Sequence, residues 1–153
     1  MPAVSLLATL VATILGFFLG ALWYGPLFGA RWTALVGTSP EQARRDFNPV
    51  VAYGVTFVLG FIASYVFGMY LGPNPGRSFA IVCGAAVGLF FVGTSLATNY
   101  LFERRPAALI AINGGYHAVR FTLIGRSAQL TTSGHSVVAD SNPRRKRSVL
   151  NQT

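Results

Sequence analysis

The stretch PVVAYGVTFVLGFIASYVFGMYL, from Pro49 to Leu71, decides the fold of this chain because it contains no Lys, Arg, Asp or Glu. A helix needs roughly 20 residues to cross about 30 Å of hydrocarbon, and this stretch has that length. No water reaches the backbone N–H and C=O groups inside lipid, so a helix that pairs them internally is the expected form. The stretch therefore predicts a transmembrane helix.

Three further segments have a similar length and are mostly apolar: Ala3–Tyr24, Ser78–Leu101 and Pro106–Gly125. Charged residues make up 10% of the chain, against about 25% in an ordinary soluble domain. A globular helix carries only one apolar stripe, so a soluble domain has no way to bury four helices that are apolar all round. We predict an all-α integral membrane protein whose residues 1–125 form an antiparallel four-helix transmembrane bundle.

The connections between these segments carry helix stops and starts. Gly25 precedes a proline, which predicts that the first helix ends there with Gly25 in the left-handed conformation. The apolar spacing from Phe28 to Val36 predicts a short helix lying along the membrane interface. Ser39 and Asn48 each precede a proline, and both are predicted to cap helices. The two later connections are short, which favours antiparallel neighbours.

Small residues recur every four positions in the first three segments, which is typical of helices that approach closely in lipid. We expect these residues to point into the bundle, while Leu7, Val11 and Phe18 point outward. The main members of these stripes are Gly16, Gly20, Gly60, Ser64, Gly68, Ala80, Gly84 and Gly88.

The basic residues of the loops predict an orientation. Five of them lie in the first and third connections, whereas Arg77 lies on the opposite side before the tail begins. Because cytoplasmic loops carry the excess of Lys and Arg, we expect these two connections in the cytoplasm and both termini outside. The five are Arg31, Arg44, Arg45, Arg104 and Arg105.

The fourth segment holds the candidate functional cluster, Asn113, Tyr116, His117 and Arg120. Ionisable residues inside a membrane segment mark either function or packing. The depth of Asn113 predicts hydrogen bonds to residues 93–95 of the third segment. His117 is expected to be a hydrogen-bonded packing residue, and Arg120 to extend its guanidinium to the interface.

The residue types argue against catalysis and against a cofactor or metal. No spanning segment carries an Asp or Glu, and Cys83 is the single cysteine. A metal site needs several such ligands, so we expect none. The predicted partners are the lipid bilayer and a membrane protein or a second copy, and no nucleic acid, because the basic residues lie in the connections and the tail.

Two motifs resemble those of the bacterial membrane proteins grouped as domain of unknown function 1761. The first comprises Trp23, Tyr24, Gly25, Pro26, Leu27, Phe28 and Gly29, with Trp32 three positions later. The second is Ile112, Asn113, Gly114, Gly115 and Tyr116. The resemblance implies a four-helix protein of the bacterial inner membrane, and it implies no particular activity.

The chain departs from this family after Gly125. Residues 126–153 are polar and include a basic run at 144–147. Such a composition cannot bury a core, which predicts a disordered and dispensable tail. Its charge also opposes the orientation that the loops predict. A native tail and a frameshifted or recombined end both remain open.

Two functional hypotheses follow from the sequence. The first is a non-enzymatic multi-pass membrane protein that acts through packing or a partner. The alternative is a small transporter or channel subunit, with a polar path near Asn113, Tyr116, His117 and Arg120. Acidic residues in the spanning segments would favour the alternative, and the sequence has none there.

Overall fold

The computed structural model of the protein describes residues 4–37, 41, 45 and 47–127. In these residues the only regular secondary structure is helical. We number five helices: α1 (Leu6–Leu22, continued by a π-helical turn, Trp23–Leu27), α2 (Gly29–Val36), α3 (Pro49–Leu71), α4 (Arg77–Phe102) and α5 (Ala107–Ser127). Within α4 a π-helical segment, Val87–Gly93, separates two α-helical parts. The prediction of an all-helical protein is confirmed.

Among the described residues, three helices are long and apolar enough to cross a membrane: Leu6–Leu27, Pro49–Leu71 and Arg77–Phe102. Helix α5 has 21 residues but does not belong to this group, because polar and small residues interrupt its apolar sequence. Large apolar side chains cover the outside of the three helices: Phe18 is 69% exposed, Val50 81% and Phe90 65%. An apolar surface of this extent suits lipid and not water.

The helix starts agree with the capping residues that the sequence contains. The side chain of Asn48 accepts a hydrogen bond from the Val51 N–H at 3.2 Å, and Pro49 is the first residue of α3. This prediction is confirmed. Ser5 caps α1 in the same way, accepting from the Ala8 N–H at 3.3 Å. The predicted cap Ser39 lies outside the described residues.

The predicted stop of the first helix at Gly25 is wrong. Gly25 is not left-handed, and the chain continues through it as the π-helical turn, in which the Phe28 N–H donates to the Trp23 carbonyl at 2.9 Å. Pro26 lies inside this turn. In the part of the chain that the structure describes, the glycines with positive φ, 74° each, are Gly37 after α2 and Gly72 after α3.

Helices α4 and α5 run antiparallel with their backbones in close contact. A Cβ atom added at Gly84 would collide with the Phe121 carbonyl, and one at Gly88 would collide with the His117 carbonyl. A Cβ atom at Gly125, near the end of α5, would collide with Ala80 near the start of α4. The small residues of α4 therefore act as the sequence predicts, by letting a neighbouring helix approach.

Burial follows the predicted faces. Gly16, Gly84 and Gly88 are buried and Gly20 is half-buried. Leu7 and Phe18 are 71% and 69% exposed, whereas Val11 is half-buried. The inward face is confirmed, and the outward face is confirmed except at Val11, which lies at its border.

The apolar core lies at the end of the molecule where α3 finishes and α4 begins. Its buried members come from four helices: Ala12, Phe67, Leu71, Ala80, Phe121 and Ile124. The rings of Phe67 and Phe121 meet edge to face with centroids 5.6 Å apart. Aromatic and polar side chains gather at the opposite end.

Helix α5 extends two residues beyond the predicted boundary at Gly125. Arg126 and Ser127 are helical, and the buried Ser127 hydroxyl donates to the Leu123 carbonyl at 2.9 Å. The rest of the predicted tail, residues 128–153, lies outside the described residues.

Candidate functional site

The π-helical turn at the end of α1 directs Trp23 towards α5. The indole Nε1 of Trp23 donates a hydrogen bond to the carbonyl of Ile112 at 3.0 Å. A Cβ atom at Gly115 would lie 3.3 Å from the Trp23 ring, so glycine at this position leaves room for the indole. Trp23 thus joins the first sequence motif to the second.

Tyr24 and Asn113 form the second link between the motifs. The Tyr24 hydroxyl donates to Asn113 Oδ1 at 2.9 Å, and Asn113 Nδ2 donates to the Tyr100 hydroxyl at 2.8 Å. Asn113 is buried, and through it α1, α4 and α5 are tied together at one depth. An unsatisfied buried amide would cost about 1–3 kcal/mol, so these bonds fix the packing of the three helices.

The predicted hydrogen bonds from Asn113 to residues 93–95 are wrong. Thr94 and Ser95 are exposed, and their hydroxyls donate to carbonyls of their own helix, that of Ser95 to Phe91 at 2.7 Å. Gly93 instead lies close to the backbone of α5, where a Cβ atom would be 4.0 Å from the Gly114 Cα. The π-helical segment before Thr94 shifts the helix face, which spacing alone did not predict.

One tyrosine hydroxyl proton is left over in this network. Asn113 offers one acceptor group and one donor group to the two hydroxyls of Tyr24 and Tyr100. With the side-chain amide as placed, Tyr24 donates to Asn113 and Tyr100 accepts, so the Tyr100 proton has no acceptor among the described residues. Flipping the amide reverses the roles and leaves the Tyr24 proton free instead.

Trp32 and Gly29 complete the first motif. The ring of Trp32, on α2, meets Tyr24 edge to face with centroids 5.6 Å apart. A Cβ atom at Gly29 would collide with the Tyr24 carbonyl, so glycine allows α2 to begin directly after the π-helical turn. Nothing in the structure explains glycine at position 25.

Tyr116 lies against the small residues of α1. Its hydroxyl donates to the Gly16 carbonyl at 3.3 Å, and a Cβ atom at Gly20 would be 3.3 Å from that hydroxyl. The Tyr116 ring also packs on Tyr24, with centroids 5.2 Å apart. The stripe of small residues on α1 therefore receives large side chains of α5 and does not bring the two backbones into contact.

The prediction of a hydrogen-bonded His117 is wrong for the described residues. Its ring packs edge to face on Tyr116, with centroids 5.0 Å apart. Its Nδ1 atom is buried and has no hydrogen-bond partner there. The backbone of His117 lies against Gly88 of α4.

Arg120 does not extend to the interface as expected. Its guanidinium lies between α1 and α3, where Cβ atoms at Gly16 and Gly60 would be 3.4 Å from Nε and 3.0 Å from Nη2. Gly60 is the twelfth of the 23 residues of α3, so the charge lies near mid-depth of this helix. No carboxylate pairs with Arg120 in the described ranges.

A groove of about 340 Å³ opens between these elements. Its lining combines the two motifs with the second half of α4: Tyr24, Trp32, Leu96, Tyr100, Asn113 and His117. Asn113 and His117 were predicted from the sequence as candidate functional residues, and Tyr24 and Trp32 belong to the first motif. Leu96 and Tyr100 were not predicted. The signal for Tyr100 is its place near the end of the third segment, at the depth of Tyr24.

The groove offers hydrogen bonds and ring faces and no strong metal ligand set. Among the described residues no three His, Cys, Asp or Glu side chains gather at one point. The lone Cys83 is half-buried in α4, away from the groove lining. The groups available to a bound molecule are a tyrosine O–H and the aromatic walls, which include the ring of His117.

Comparison with known proteins identifies a family for this chain. The profile of the family described as Protein of unknown function (DUF1761) matches residues 7–126, a range that contains both motifs and all six residues of the groove. Neither the search of curated proteins nor the search of solved structures found a match.

Proposed function

The chain belongs to the family Protein of unknown function (DUF1761), and we propose that it is a membrane protein that binds a small apolar molecule from the bilayer. The groove between the two motifs is the proposed binding site. In this proposal α5 crosses the membrane beside the three apolar helices and completes an antiparallel four-helix bundle. The observation that carries the proposal is that both motifs meet in space and line one groove.

The contacts of the motifs support binding in addition to packing. Trp23, Asn113 and Gly115 hold the helices together through the contacts described above. Packing alone would leave no reason for an open groove beside them, yet Trp32 and His117 line such a groove. Ligand sites between membrane helices have this character, with aromatic walls and a few polar groups.

The proposed role is non-enzymatic. The spanning segments contain no Asp or Glu, so His117 has no carboxylate beside it to orient a proton transfer. The ring of His117 contacts Tyr116, and the tyrosine hydroxyl is already used on the Gly16 carbonyl. These contacts suit recognition of a molecule and not its chemical conversion.

Filling the groove tests the proposed function. Leu96 lines the groove, and Leu96→Trp places a large ring inside it. Protein extracted with its lipids in polymer nanodiscs is solvent-extracted, and the small molecules are measured by mass spectrometry. We expect a compound enriched with the natural chain to fall about tenfold in Leu96→Trp, which corresponds to about 1.4 kcal/mol of binding free energy.

The matched control is Leu59→Trp, because Leu59 is 60% exposed on the outer face of α3. This variant adds the same ring on the lipid side and should keep the compound. Equal extracts from the natural chain and Leu96→Trp would contradict the proposal.

A transporter or channel subunit is the second candidate, and the position of Arg120 favours it. A guanidinium near mid-depth of α3, with Gly16 and Gly60 beside it, is the kind of group that attracts an anion into a membrane protein. Along α5, Tyr116 and His117 lie between Arg120 and Asn113, and His117 also lines the groove. The candidate polar path thus consists of these three residues and Asn113.

We also propose that the chain lies in the bacterial inner membrane with both termini outside. The support is the basic residues of the first and third connections. The Arg105 guanidinium donates to the Val36 carbonyl at 3.4 Å, which brings the third connection next to the end of α2. Both connections therefore lie on one side of the proposed bundle.

Single cysteines test this orientation. In a Cys83→Ser background, Gly76→Cys should react with an impermeant maleimide in intact cells, whereas Thr38→Cys should react only after the membrane is opened. A Cβ atom at Gly76 would have no atom within 4 Å, so a side chain has room there. The reverse labelling pattern would show that the termini are cytoplasmic.

A further inference from the structure

We propose that the molecule bound in the groove is a neutral planar ring carrying carbonyl oxygens, of the quinone type, with its apolar substituent extending into lipid. This inference rests on the proposed function and names the class of molecule that the same groove binds. It comes from three features of the groove: a spare hydroxyl proton, walls made of aromatic rings and a lining without charged side chains.

The spare proton calls for an acceptor. Tyr24, Asn113 and Tyr100 form a chain of hydrogen bonds that ends with one tyrosine O–H undonated, in either orientation of the amide. All three residues line the groove. A carbonyl oxygen of a bound ring accepts such a proton without donating one, and therefore completes the chain.

His117 contributes a ring face to the groove and no hydrogen bond from Nδ1. The ring of His117 lines the groove, but its Nδ1 atom is buried and has no partner among the described residues. A bound molecule therefore does not reach this atom. The polar contact of the bound ring is the one between its carbonyl oxygen and the tyrosine O–H.

The walls and the volume favour a flat occupant. Tyr24 and Trp32 meet edge to face, and Tyr100 and His117 add two further rings to the lining. Aromatic rings bind other rings in offset or edge-to-face contacts. A volume of about 340 Å³ lies at the small end of the range for ligand pockets and suits a head of one or two rings.

The charges favour a neutral head over an anionic one. None of the six lining residues is Lys, Arg, Asp or Glu. Arg120 follows His117 on α5, but its guanidinium lies against Gly16 of α1 and Gly60 of α3 and is not part of the groove lining. An anionic lipid head would have no cation in the groove to pair with.

The test compares two ligands that differ only in their carbonyl groups. Full-length protein in nanodiscs of zwitterionic lipid is titrated with 2-methyl-1,4-naphthoquinone or with 2-methylnaphthalene, and empty nanodiscs give the background. Binding is measured by equilibrium dialysis and by the shift of the thermal unfolding midpoint. We expect the quinone to bind about tenfold more tightly than the hydrocarbon, which is the upper end of the gain from one hydrogen bond.

Variants of the hydrogen-bond network separate recognition of the carbonyl groups from nonspecific apolar binding. Removing one tyrosine hydroxyl frees an N–H of Asn113, which would still donate to the quinone, so the variant combines Tyr24→Phe, Tyr100→Phe and Asn113→Leu. It should lose most of the preference for the quinone while still binding the hydrocarbon. The matched control is Tyr70→Phe, because Tyr70 is 72% exposed on α3 and should keep the preference.

The outcomes distinguish this inference from the proposed function. Equal binding of the two ligands, both lost in Leu96→Trp, overturns the inference and leaves the groove as a binding site for apolar molecules. If neither ligand binds, and if the extracted small molecules are the same in Leu96→Trp as in the natural chain, both proposals fail. Displacement of the quinone by a phosphatidylglycerol head group would overturn the neutral ring in favour of an anionic lipid.

Discussion

Gly88→Ala is expected to destabilise the protein strongly, although alanine normally favours a helix over glycine by about 1 kcal/mol. A Cβ atom at Gly88 would collide with the His117 carbonyl and with the Cα of Ala118. These are backbone atoms of α5, so no side-chain rotation relieves the contact. Overpacking of this kind costs about 1–3 kcal/mol and occasionally more, and we expect the upper end because two helices have to separate.

The control Gly54→Ala should show the opposite sign. Gly54 lies on the exposed face of α3 with no atom within 4 Å of an added Cβ, so only the gain in helix propensity remains. Both variants carry the same chemical change, so the difference between their thermal unfolding midpoints in mild detergent measures the cost of the contact at Gly88. A Gly88→Ala protein as stable as the natural chain would show that α4 and α5 do not pack as closely as described.

The stripes of small residues on α1 and α4 show which structural property a sequence pattern predicts and which it does not. Spacing every four residues correctly placed Gly16 and Gly88 inside. It did not distinguish their roles, because Gly88 lies against a backbone whereas Gly16 lies against the side chain of Arg120. Burial depends on the periodicity of one helix, but the identity of the neighbour depends on how several helices pack.

Several residues of the candidate site could be predicted from the sequence, but the contacts between them could not. Asn113 is a polar residue in an apolar segment, which identifies it from sequence alone. Its partners lie on other helices: Tyr24 lies within one π-helical segment, and Tyr100 follows another. A π-helical segment shifts the register of all later residues of its helix, and the sequence gives no strong signal for one. The same shift explains why the predicted hydrogen bonds from Asn113 to residues 93–95 do not form.

Arg120→Met is expected to stabilise the protein, by about 2–3 kcal/mol. A guanidinium at the centre of a membrane helix costs about 2.5–3.5 kcal/mol in insertion experiments, and Arg120 has no carboxylate partner among the described residues. Methionine keeps most of the length of the arginine stem and fills irregular gaps between helices. It therefore preserves the packing against Gly16 and Gly60 while removing the charge.

Equilibrium unfolding in mixed detergent and dodecyl sulfate micelles measures the effect, and Arg126→Met is the matched control. Arg126 is exposed in the last turn of α5, where a cation also interacts favourably with the helix dipole. Its replacement should be neutral or slightly destabilising. If Arg120→Met lowered stability, the guanidinium would have an attractive partner, such as a bound anion, and the transporter candidate would gain. Stabilisation would instead mark Arg120 as a costly charge, and such charges are retained in membrane helices mainly where function needs them.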